Sequence, residues 1–332
     1  MLYHFRNTHP YAIVLIVITA VILWIPVFVN PNIFLVPGNF ESFPLSGVFN
    51  FLFKFSNLIL IIAGFILYLI LAFFLAFINS KHQVTEKRDY LPALFFILSS
   101  AWIIGIQQIS PSLIGALFVF FSFHRFFASY NRTKVISSLF DAGLLIGIAS
   151  LFYIPYATLF IIIWLGIFLF RFEDWRAWLV SLIGFLTPWV FAYGLYFYFT
   201  GSVMELNEMI SSSFSYSELV LFPSPNRFVV LLAALLLTLF TSYYIVIKMK
   251  SMNIRSKRFF YLLNWALITL FIVYLLQPAV EKQIIIGMAF PLSFLFTDYF
   301  SQVRKKWYVE LVFSGYLIGM IISMYIPLFM YR

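Results

Sequence analysis

From residue 10 to residue 330 the chain is cut into apolar runs of about twenty residues, joined by short polar or basic segments. That repeating length decides the solvent. The hydrocarbon layer of a bilayer is about 30 Å thick, and a helix rising about 1.5 Å per residue needs about 20 apolar residues to cross it. Runs that meet this rule lie near 10–29, 57–79, 91–108, 111–128, 137–153, 155–171, 177–199, 227–247, 259–277, 284–300 and 308–330. Composition agrees: 63% of the 332 residues are hydrophobic and 10% are charged. A soluble domain averages about 45–50% apolar and about 25% charged, and this much apolar surface would aggregate in water.

Two architectures satisfy every backbone group in lipid, the helix and the closed barrel. Barrel strands alternate apolar and polar residues. The stretches Leu58-Ile59-Leu60-Ile61-Ile62-Ala63 and Leu231-Leu232-Ala233-Ala234-Leu235-Leu236-Leu237 do not alternate. The expected fold is an all-α integral membrane protein: a bundle of about eleven transmembrane helices (range about 9–12) in a single polytopic domain spanning 1–332.

Lysine and arginine then set the threading. With the N-terminus in the cytoplasm, inner segments hold 17 of the 21 basic residues, while outer segments hold Lys54, Arg227, Lys282 and Arg332. This is the positive-inside pattern, and it predicts a cytoplasmic N-terminus and an external C-terminus. Adding or dropping one span would scramble it. The first run is followed by Asn30-Pro31-Asn32 with no small-residue cleavage pattern, so it reads as a retained helix. The hairpins 91–128, turning at Ser110-Pro111, and 137–171, turning at Ile154-Pro155, have arms near the lower length limit. They read either as full spans or as re-entrant elements.

The net charge of +9 is spent on these topological clusters, so no nucleic-acid partner is expected. With no cysteine, disulfides and thiolate chemistry are excluded. His4, His9, His82 and His124 are scattered and lack metal-ligand spacing. Asp141 follows Ser138 at the spacing of a helix cap, and Asp298 is expected to pair with Arg304, Lys305 and Lys306 or with headgroups.

Candidate chemistry therefore falls on the two long outer loops, about 30–56 and 200–226. Glu41 is the lone carboxylate of the first loop, placed to act as a general base or to ligate a divalent cation beside a headgroup; a plain solvated glutamate is the alternative. Glu205 and Glu208 would share one face of a helix, and Glu281 sits in a third outer turn. Arg227 and Lys282 outside, and Arg171 and Arg176 inside, are the candidates for holding a substrate or lipid phosphate. Arg171 and Arg176 serve equally well as the anchors of a tight aromatic loop.

The stretch Phe140-Asp141-Ala142-Gly143-Leu144-Leu145-Ile146-Gly147-Ile148-Ala149-Ser150-Leu151, with the hairpin after it and Arg171 through Pro188, resembles an uncharacterised family of bacterial inner-membrane proteins. It is also similar to the A-G-L-x-x-G-x-A-x-L helix of C-type glycosyltransferases. That resemblance implies a multi-pass protein of the bacterial inner membrane that uses a polyprenyl-phosphate sugar at the outer face. It gives Glu41 the role of base or metal ligand, and a divalent cation is the cofactor expected if the protein is an enzyme. Two other expectations stand beside it: a non-catalytic subunit with protein partners in the cell envelope, and a lipid or solute transporter.

Overall fold

The computed structural model describes residues 5, 10–31, 44–45, 56–87, 89–101, 109–130, 135–172, 174–213, 239, 241–244, 247–248, 252–276, 281–302 and 307–330. Within them the chain is all-helical. The elements are α1 (Pro10–Val29), α2 (Asn57–His82), α3 (Leu91–Ser100), α4 (Pro111–Ser129), α5 (Val135–Phe152), α6 (Phe160–Phe170), α7 (Trp175–Thr200), α8 (Met204–Ser213), α9 (Ile254–Leu276), α10 (Glu281–Gln302) and α11 (Trp307–Met330). Among the described residues eight helices are long and apolar enough to cross a membrane: α1, α2, α4, α5, α7, α9, α10 and α11. The chain is a multi-pass membrane protein.

Three expected spans differ from these eight. The run at 91–108 gives the ten-residue α3, about 15 Å long, too short to cross by itself; residues 102–108 lie outside the described part. The run at 155–171 starts as a 3-10 turn, Ile154–Leu159, before α6. Its proline tightens the first turn rather than opening a full α-helix. The run at 227–247 lies mostly outside the described residues, with helical pieces at 239, 241–244 and 247–248.

Hydrogen bonds between distant helices fix which ends lie together. Ser256 Oγ donates to the Gln83 carbonyl (3.1 Å), and Lys87 Nζ donates to the Ser301 carbonyl, so the end of α2, the start of α9 and the end of α10 share one end. Ser112 Oγ donates to the Gln283 carbonyl (2.6 Å), which brings the starts of α4 and α10 together at the other. Among the described residues Lys81, Lys87, Arg125, Arg171, Arg176, Lys248, Arg255, Lys257 and Arg258 sit towards the first end. We call this the basic end.

At the centre lies α10. Every residue from Ile284 to Ser301 is buried, as is every residue of α3, which packs along it. Interlocked rings fill the space around the pair: Phe95 stacks on Phe300 (5.0 Å), and Phe120 and Phe123 meet Phe290 (4.9 and 4.7 Å). Because α3 ends inside this apolar core, its last carbonyls need donors. The Tyr68 hydroxyl donates to the Ile97 carbonyl (2.8 Å) and lies 2.6 Å from the Ser100 hydroxyl. Outward faces are apolar, with Ile66 and Ile70 on α2, Val190 and Phe191 on α7, and Ile318 and Ile322 on α11 exposed where lipid would lie.

A close helix contact joins α5 and α7. A Cβ at Gly143 would strike the Ser181 carbonyl oxygen, one at Gly147 the Phe185 oxygen, and one at Gly184 the Phe140 oxygen. Small residues four apart let two membrane helices approach backbone to backbone. The glycines of the A-G-L-x-x-G pattern thus have a packing role. Asp141 does not cap α5, because the helix already begins at Val135; it lies in the second turn and pairs with Arg125 of α4 (3.6 Å).

Candidate functional site

At the end opposite the basic one, α7 stops at Gly201, whose left-handed backbone (φ 68°) turns the chain into the short helix α8. α8 folds back on α7. Tyr193 OH donates to Asn207 Oδ1 (2.9 Å). The Tyr196 hydroxyl donates to the Pro44 carbonyl (2.8 Å), with Met209 Sδ 3.7 Å away. One tyrosine therefore ties together the segment after α1 and the segment after α7. These are the two long loops that carry Glu41, Glu205 and Glu208.

Glu41 itself lies outside the described residues, as does Arg227. Glu205 and Glu208 do fall on a helix, three residues apart on α8, and Glu208 is exposed. Glu281 and Lys282 open α10, close to Ser112 through the Gln283 carbonyl. The side chains of Glu205, Glu281 and Lys282 lie outside the described part. Beneath this surface, Tyr156 is wedged between α4 and α10: a Cβ at Gly115 or Gly287 would run into its ring. Its hydroxyl sits 2.8 Å from Ser112 Oγ.

Arg171 and Arg176 are at the basic end, in a loop built from two helix caps. Arg171 holds a left-handed backbone (φ 57°); its N–H donates to the Phe168 carbonyl (3.1 Å) and that of Phe172 to the Ile167 carbonyl (3.2 Å). Asp174 then starts α7, its Oδ1 accepting from the Arg176 N–H (3.0 Å). Both arginines are exposed.

The basic end also assembles groups that sequence spacing does not bring together. Asp298, on the central helix, is wholly buried, and Lys248 Nζ donates to both of its oxygens (3.1 and 2.9 Å). Asp298 is thus paired with Lys248 inside the bundle; Arg304, Lys305 and Lys306, its expected partners beside lipid headgroups, lie outside the described residues. The exposed Glu86 lies 3.6 Å from the same ammonium. Beside this pair is a cavity of about 120 Å³, lined by Val84, Glu86, Met252, Asn253, Ser256, Phe260 and Asp298. Room for about four waters is all it offers.

Asn79 braces the loop before α3: its Oδ1 accepts from the Thr85 N–H (3.0 Å) and its Nδ2 donates to the Lys87 carbonyl (2.9 Å). His82 Nε2 and His124 Nδ1 are 3.0 Å apart, 42 positions distant in sequence. The one legible signal for these groups was Asp298, a carboxylate inside an apolar run, which needs a partner. Among the described residues no three His, Cys, Asp or Glu side chains gather to hold a metal ion.

No protein-family model matches the chain, and no curated protein or solved structure matches it.

Proposed function

We propose that the chain is a glycosyltransferase-like protein of the bacterial inner membrane, acting at its outer face on a lipid-linked sugar. The basic end faces the cytoplasm in this reading, since Lys and Arg are retained there during insertion, and the C-terminus is external. The observation that carries it is the Tyr196 junction, where the two long outer loops meet over one tyrosine hydroxyl. In this reading a site drawn from both loops would combine Glu41 with the exposed Glu208 of α8 near the headgroups. There a carboxylate can take the acceptor proton or bind a divalent cation. Lys282 and Arg227 are the outer-loop cations that this reading assigns to a polyprenyl phosphate; Arg171 and Arg176 lie at the basic end. The test is Glu41→Gln: transfer of sugar from a polyprenyl-phosphate donor should vanish while membrane abundance is unchanged. Full transfer would remove Glu41 from the mechanism.

A second reading, a non-catalytic subunit of an envelope complex, is favoured by the ring-filled interior around α3 and α10. It predicts that the protein co-purifies with a fixed membrane partner, and that partner's activity, not Glu41, would then fall when the chain is deleted.

A further inference from the structure

α9 opens Ile254-Arg255-Ser256-Lys257-Arg258, with no acidic residue in its first turn. The start of a helix already carries positive partial charge, so cations there are the reverse of the usual arrangement. Among the described residues neither Arg255 nor Arg258 has a carboxylate partner. Both are instead held against rings. The Arg255 Cζ lies 5.8 Å from the Tyr130 centroid and 5.4 Å from that of Phe259; the Arg258 Cζ lies 5.7 Å from Tyr130. Two like charges share one ring, and no described anion lies between them.

A stacked guanidinium keeps its N–H edge available for an acceptor. Arg255 Nε is shielded from solvent and has no acceptor among the described residues, a costly state for a charged donor. Phe170 extends the platform, meeting Tyr130 at 5.2 Å and Phe259 at 5.8 Å, and Arg171 follows it in the chain. Two sequence-distant segments therefore bring arginine to one aromatic cluster, to which a third contributes Tyr130.

We infer that Arg255 and Arg258, flanked by Arg171, bind the phosphate of an anionic membrane lipid at the basic end. The chemistry matches on each side. Guanidinium forks take phosphate oxygens in pairs, basic recesses between membrane helices at the cytoplasmic surface receive anionic headgroups, and the rings beneath hold the two guanidiniums in place. This site is separate from the outer-face activity and does not rest on it.

The test uses the full chain in detergent, with retained lipid read by native mass spectrometry. Wild type should keep phosphatidylglycerol in preference to phosphatidylcholine. The double variant Arg255→Gln/Arg258→Gln should lose that preference by about tenfold, the scale of a lost charge-assisted pair. Lys257→Gln, which removes a charge from the same turn but no ring contact, should keep it. Should the double variant misfold, Arg255→Lys/Arg258→Lys retains the charge without the planar fork and should still lose several-fold. No preference in wild type, an equal loss in Lys257→Gln, or unchanged retention in the lysine pair would overturn the assignment. Displacement of the lipid by millimolar inorganic phosphate would overturn it too, assigning the arginines to a soluble anion.

Discussion

Asp298 and Lys248 show what a buried charge demands of its surroundings. Each would be costly alone in an apolar interior, and their attraction offsets that cost only because the ammonium reaches both carboxylate oxygens. Asp298→Asn should therefore destabilise the protein by about 3–5 kcal/mol, since it removes the buried carboxylate that neutralises the Lys248 ammonium. Replacing both, as Asp298→Leu with Lys248→Met, should restore most of the loss. Thermal unfolding in detergent separates the two outcomes, and a double variant no better than the single would show that the pair does more than neutralise itself. Arg171 poses a backbone question at the same scale. Its left-handed conformation costs a non-glycine residue about 1 kcal/mol or more. Arg171→Gly should raise the unfolding temperature, whereas Asp174→Ala, which removes the cap of α7, should lower stability by about 1 kcal/mol.

Among the elements, α5 and α7 depend on three glycines whose missing side chains admit a neighbouring backbone. Gly143→Ala and Gly147→Ala should each cost about 1–3 kcal/mol or prevent assembly, because the obstructing atoms are carbonyl oxygens that cannot rotate away. Gly194→Ala, with open space around it, is the control and should be silent in the same unfolding assay. These elements also show what the sequence discloses. The positions of α1, α2, α4, α5, α7, α9, α10 and α11 were legible, since crossing length and hydropathy are local properties. The start of α5 was not: Val135 and Ile136 extend the helix past Ser138, so a spacing that reads as a cap becomes an interhelical ion pair with Arg125. The meeting of His82 with His124, or of Lys248 with Asp298, depends on which helices become neighbours. No period in the sequence encodes that. The outer acidic residues were legible as candidates, while Glu41 itself falls outside the described residues.

For the whole molecule the decisive property is its threading. Alternation of helix direction follows from the contacts at each end, whereas the assignment of an end to a cell compartment follows from charge alone. The absence of cysteine makes this directly testable, because any introduced thiol is the sole target of a maleimide. Glu208 is exposed on α8 at one end; Arg176 and Lys257 lie near the starts of α7 and α9 at the other. In intact cells an impermeant maleimide should label Glu208→Cys and spare Arg176→Cys and Lys257→Cys until the membrane is opened. Labelling of Arg176→Cys and Lys257→Cys on opposite sides would break the alternation of the bundle. Labelling of both in intact cells, with Glu208→Cys protected, would keep the fold but invert it. Glu41 would then face the cytoplasm, where the proposed external transfer has no substrate, and the arginines around Tyr130 would meet the opposite leaflet.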